Sequence, residues 1–197
     1  MCDWENYFEK DDNEIYRYKC RDVVKLPDNL PMPPTTNMRD MFYECEELED
    51  ISALAEWDVS KVTNMSDMFR DCHSLKDISA LANWNVSNVT CMNFMFQCCF
   101  ELEDISALAN WNVSNVIHMM YMFCYCEQLQ DISALANWNV SNVTCMMRTF
   151  SYCEELEDIS ALAKWDVSKV TNMDGMFKNI IYDKETFHAY MQQVNAN

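Results

Sequence analysis

The sequence predicts an α/β repeat solenoid on three observations. A block of 27 residues recurs without insertion or deletion, the same positions of the block stay apolar each time, and the stretches on either side of the array break the pattern. Reading from Trp57, WDVSKVTNMSDMFRDCHSLKDISALAN returns at Trp84, Trp111 and Trp138 and begins again at Trp165.

The apolar columns are the inward face. They run Met65/Met92/Met119/Met146/Met173, Phe69/Phe96/Phe123/Phe150/Phe177, Leu75/Leu102/Leu129/Leu156, Ile78/Ile105/Ile132/Ile159 and Leu81/Leu108/Leu135/Leu162, with Val59 and Val62 and their equivalents beside them. One coil buries too little to offset the entropy of ordering it, so the coils must stack and the two ends must be capped.

Within a coil, the β-branched run Val86-Ser87-Asn88-Val89-Thr90 predicts a short strand. Met68-Phe69-x-x-Cys72-x-x-Leu75 has the spacing of a helical turn or two, although Leu75-x-x-Ile78 also reads as a strand. Asp77, set before Ile78-Ser79-Ala80-Leu81, predicts an N-cap for a second short helical turn.

The ends depart from the period. Residues 1–35 predict an N-terminal cap and Pro-rich lead-in, with Tyr16, Tyr18, Val23 and Val24 as strand candidates and Pro27, Pro31, Pro33 and Pro34 behind them. Residues 36–177 are the tandem repeats of one solenoid. Residues 178–197 predict a capping helix started by Asp183, with Phe187, Tyr190, Met191 and Val194 on one face.

Composition excludes several functions. Lys and Arg number 14 against 32 Asp and Glu, a net charge of −18 that repels phosphate backbones and anionic membrane surfaces. No stretch has the apolar length of a membrane span, and the start has neither a basic region nor an apolar core for export, so a soluble, cytosol-like setting is expected. Reduced thiols then follow for the 11 Cys, of which Cys45, Cys72, Cys99, Cys126 and Cys153 form a column of small buried groups.

The strings Met68-Phe69-x-x-Cys72-x-x-Leu75 and Trp84-Asn85-Val86-Ser87-Asn88-Val89-Thr90-x-Met92 recur in register. They resemble the BspA-like leucine-rich repeat surface proteins, a likeness running over about residues 36–177. The resemblance implies leucine-rich-repeat-like coils, adhesion or protein binding, no cofactor and no enzymatic activity. That family occurs in bacterial surface proteins, some protists and large DNA viruses. Without an export or anchoring signal, the resemblance implies a cytoplasmic or virion-associated scaffold in a larger assembly; an adhesin-like protein exported by a non-standard route is the alternative.

A repeat array spreads polar residues into ladders, whereas catalysis needs a single convergent constellation. His73, His118 and His188 fall at unrelated repeat positions, and no phosphate loop, nucleophile elbow or metalloprotease helix is present. The column Asp50/Asp77/Asp104/Asp131/Asp158 reads as caps ahead of a calcium ladder. Cys91, His118 and Cys145 stand on successive rungs, but the outer two are about 10 Å apart at strand spacing, too far for one tetrahedral zinc ion.

The differences between coils point to a partner site. Where the first full coil has Ser66-Asp67 and Arg70-Asp71, later coils carry Phe94, Phe100, Tyr121, Tyr125, Met147 and Tyr152. If outward-facing, these six residues form an apolar patch of the composition that protein interfaces favour. If they pack down on neighbouring coils, they are part of the stack. Expected partners are therefore other proteins.

Overall fold

Equivalent side chains of successive coils lie on top of one another along a single axis, in a computed structural model that describes residues 4–180. The Phe column shows it best. Rings of Phe42, Phe69, Phe96, Phe123, Phe150 and Phe177 stack nearly parallel, with centroids 5.5 to 6.0 Å apart and planes within 8°. The Met, Leu, Ile, Val and Cys columns are buried beside it as one continuous core.

Hydrogen bonds along the axis decide the local backbone. The N–H groups of Met65, Asp67, Phe69 and Asp71 donate to the carbonyls of Cys91, Asn93, Met95 and Gln97 in the next coil at 2.8 to 3.0 Å, and each later coil repeats the set. These groups are therefore unavailable for i to i−4 bonds. The Met-Phe-x-x-Cys stretch is a run of overlapping tight turns, such as Arg70 N–H to the Asp67 carbonyl and Cys72 N–H to that of Phe69, and the predicted helical turn is replaced by it. Stacking overrides the local spacing.

The predicted strand at Val86–Thr90 is also absent. Val89 N–H closes a turn on the Val86 carbonyl at 2.9 Å, and Thr90 N–H reaches back to the Thr63 carbonyl at 2.8 Å. Among the described residues, parallel pairing survives only as isolated bridges, in the columns Asn37/Asn64/Cys91/His118/Cys145/Asn172 and Asp77/Asp104/Asp131 and between Lys25 and Asp50. A β-branched run signals burial here, since Val86 and Val89 point inward, more than extended backbone.

The second helical turn exists in the tighter 3₁₀ form, at Ser52–Leu54, Ser79–Leu81, Ser106–Leu108, Ser133–Leu135 and Ser160–Lys164. Ile78 takes the N-cap position, so the Asp77 expectation shifts by one residue. Its carboxylate still meets a free donor, accepting the Ser79 N–H at 2.7 Å, and Asp50, Asp104, Asp131 and Asp158 do the same for the serine two residues on. The Ser52 hydroxyl, then its backbone N–H, hold the Asp50 carboxyl below its ordinary range, and Lys25 adds to this.

Two buried polar staples join coils through side chains. The indole N–H of Trp84, Trp111, Trp138 and Trp165 donates to the carbonyls of Leu54, Leu81, Leu108 and Leu135 at 2.9 to 3.0 Å. The thiols of Cys72, Cys99, Cys126 and Cys153 donate to the carbonyls of Phe42, Phe69, Phe96 and Phe123 at 3.1 to 3.2 Å. Cysteine thus fills the column as a donor to a carbonyl as well as a small apolar group.

At the N-terminus, β1 (Phe8–Lys10) and β2 (Tyr16–Tyr18) pair antiparallel, with Phe8 opposite Tyr18. Phe8 and Tyr18 close the Phe column against Phe42. The Tyr16 and Tyr18 expectations hold. Val23 and Val24 are not strand residues: the Val24 carbonyl accepts from Glu49 and Asp50, and its side chain is 52% exposed. Leu30 then accepts the Trp57 indole at 2.9 Å, so the lead-in serves as a coil before the first. The predicted C-terminal helix, with Asp183, Phe187, Tyr190, Met191 and Val194, lies outside the described residues.

Candidate protein-binding face

Outward side chains fall into two groups. Those that stay constant from coil to coil have backbone work to do: Asn85 and Asn112 accept from the serine two residues on, Asn88, Asn115 and Asn142 donate to Ser60, Ser87 and Ser114 carbonyls of the preceding coil, and Thr90 and Thr144 donate to Thr63 and Ile117. The strongly variable ones cluster at the Met-Phe turn, on one side of the solenoid.

That turn imposes an unusual backbone. Two positions per coil have positive φ: Asp40 and Glu44, Asp67 and Asp71, Phe94 and Cys98, Tyr121 and Tyr125, Arg148 and Tyr152, then Gly175 and Asn179, all between 53° and 64°. Left-handed backbone suits Gly, Asn and Asp, and a bulky residue there is uncommon. Gly175, the chain's single glycine, occupies one of these twelve sites. The chain's aromatics at these sites are held against local preference.

All six predicted partner residues lie at or beside this turn, and all are half-buried. The structure joins them in stacks across coils. Phe94 lies on Tyr121 with centroids 5.0 Å apart, Tyr125 on Tyr152 at 4.3 Å, and Phe100 on His73 at 4.6 Å. Met147 sulfur faces the Asn172 amide at 3.6 Å. Face-to-face stacking closes one face of each ring against its neighbour.

Cations that sequence reading did not select cap the stacks. Arg70 sits over Phe94 at 5.5 Å, Arg148 over Tyr121 and Lys178 over Tyr152, both at 5.7 Å. The signal lay in the repeat register, because Arg148 shares a column with Phe94 and Tyr121.

Charge is unevenly spread over the face. In the first rungs, carboxylates at the left-handed positions are ion-paired: Arg17 with Asp40 at 2.8 Å, Arg21 with Glu44, and Arg70 with Asp67 at 3.2 Å and Asp71 at 3.4 Å. Burial nonetheless lifts the Asp67 carboxyl above its usual range. The next two coils carry Phe94 and Cys98, then Tyr121 and Tyr125, at these positions instead. Burial pushes the Cys98 thiol up to about 12, with Asp71 adding to it, and Cys124 up to about 11, so both are neutral thiols at physiological pH.

Among the described residues, no three His, Cys, Asp or Glu side chains converge as a metal site. Cys91 is half-buried against the Ser66 hydroxyl at 3.0 Å, and His118 is exposed. The ten described cysteines are free thiols. No described helix is long and apolar enough to cross a membrane.

A leucine-rich repeat protein from Eubacterium ventriosum ATCC 27560 superposes on 90% of this chain and 51% of its own, at 13% identity and a TM-score of 0.43. A leucine rich cell surface protein from Faecalibacterium prausnitzii A2-165 does so over 90% and 53%, at 17% identity and a TM-score of 0.38. The chain thus spans about half the length of these two solved structures. No curated protein matches it. The family model described as Mycoplasma protein of unknown function, DUF285, matches residues 19–108 and 99–195. Those two stretches take in the whole repeat array, and the chain belongs to that family.

Proposed function

We propose that this chain is a non-catalytic protein-binding module whose docking face is the Met-Phe turn side of the central coils. One observation carries the reading: coil-to-coil variation concentrates at positions free of the repeated hydrogen-bonding duties, and there the central coils replace paired charges with Phe and Tyr on left-handed backbone and with Met beside them. Interface cores are enriched in those residues and depleted of Asp, Glu and Lys. Strained conformations also collect at functional sites.

The test is the double variant Phe94→Asp with Tyr121→Asp. Aspartate is at ease at positive φ, so the fold should keep its melting temperature to within a few degrees while partner capture is lost. A large fall in melting temperature would instead make these residues part of the core. An adhesin-like role outside the cell and a scaffold role inside it both use such a face. Thiol state separates the two, since ordered disulfides in native material favour the first and fully reduced cysteines the second. Particle assembly draws no specific support from this geometry.

A further inference from the structure

The docking reading above leaves the occupant open, and the order of charges along the face narrows it. Six successive rungs present, at the column before the first left-handed site, Arg39, Ser66, Asn93, Met120, Met147 and Asp174, and at that site Asp40, Asp67, Phe94, Tyr121, Arg148 and Gly175. Consecutive rungs are about 4.8 Å apart, so the row is about 24 Å long.

Two such faces can meet about a twofold axis that crosses the solenoid between the Phe94 and Tyr121 rungs. This operation keeps the columns and reverses the rungs. Phe94 then opposes the partner's Tyr121 at the centre and Arg39 opposes the partner's Asp174 at the rim, while Asp67, largely buried and paired with Arg70, lies in line with the partner's Arg148. Further out, Tyr43 meets the partner's Lys178, Asp71 the partner's Tyr152, and His73 the partner's Glu154. No like charges are brought together in these columns. Arg148 and Lys178, which reach no carboxylate among the described residues, each gain an acceptor or a ring.

From this self-complementarity we propose that the occupant of the face is a second copy of the chain, paired antiparallel through an uncharged aromatic centre and a charged rim. The pairing rests on the docking-face reading above. Such an isologous contact repeats every rim pair twice. A single row about 24 Å long with few charged pairs is a small contact, and a dimer of about micromolar affinity is expected. At physiological ionic strength the Debye length is about 8 Å, so the acidic far sides of the two copies do not oppose it strongly.

Sedimentation equilibrium of the full chain in physiological salt, from roughly 1 to 200 µM to bracket that affinity, tests the proposal. The wild type should pass from monomer to dimer. Arg39→Glu and Asp174→Arg, both at exposed sites, should each weaken the dimer about tenfold, because two symmetry-related contacts turn from attraction to repulsion. The double swap Arg39→Glu with Asp174→Arg should restore it. A monomer throughout overturns self-pairing, while the docking face stands or falls separately by the Phe94→Asp, Tyr121→Asp capture experiment. A dimer insensitive to that double variant shows that another surface pairs, and a dimer that loses affinity in both single variants without recovery in the swap contradicts the antiparallel register.

Discussion

The indole N–H of Trp111 donates to the carbonyl of Leu81 at 3.0 Å, across the boundary between two coils and inside the core. Both groups are buried, so neither can turn to water if the other is removed. Trp111→Phe keeps most of the ring and leaves the Leu81 carbonyl orphaned. A loss of about 1 to 3 kcal/mol is expected, read as a lower urea midpoint at unchanged slope.

The thiol column makes stability depend on pH. Burial raises Cys72, Cys99 and Cys126 far above the ordinary thiol and Cys45 up to about 12. A group whose folded pKa lies above its unfolded value of about 8.5 stabilises fully below that pH and loses its contribution as pH rises toward the folded value. Each such thiol withdraws up to about 1.4 kcal/mol per pH unit in that window. Urea midpoints should be insensitive to these thiols between pH 6 and 8 and should fall steeply above pH 9. A flat profile to pH 10.5 would show that the column is not sealed from water.

Gly175 stands where the other coils place Asp40, Asp67, Phe94, Tyr121 and Arg148, with φ of 64°. A Cβ there would lie 3.2 Å from Cγ of Arg148, a tight contact that this side chain must relieve by shifting a few tenths of an ångström. Gly175→Asn should change the melting temperature little. Gly175→Val, β-branched on left-handed backbone, should cost about 1 to 2 kcal/mol, and an equal effect of the two substitutions would deny that backbone conformation decides this site.

What could be read from the amino acids, and what could not, follows from where each hydrogen bond goes. Columns such as Phe69/Phe96/Phe123 were legible because burial imposes the same side chain on every coil. The Val86–Thr90 strand and the Met68–Leu75 helical turn were misread because local spacing cannot show that the N–H groups of Asp67, Phe69 and Asp71 point along the axis to the next coil. Phe94 and Tyr121 were legible as a departure from the pattern. Their stacking, and the Arg148 cap over it, required knowing that equivalent positions face each other across a rung.

Cys20 is an exposed free thiol, whereas Cys99 is sealed and donates to Phe69. Mild alkylation of the native protein should modify Cys20 quickly and leave Cys72, Cys99, Cys126 and Cys153 intact until denaturant is added. Peptide mass mapping before and after urea checks this, and equal labelling of Cys20 and Cys99 in the native state would contradict the packing.

The central claim is that the coils are interchangeable rungs and that only the turn side distinguishes them. Deleting Trp111 to Asn137 removes one period of 27 and joins Asn110 to Trp138, copying the Asn83-Trp84 junction. Urea unfolding of this variant should remain cooperative with a lowered midpoint, because the severed columns rejoin one rung closer. Loss of the cooperative transition would mean that the coils are not equivalent units of one stack.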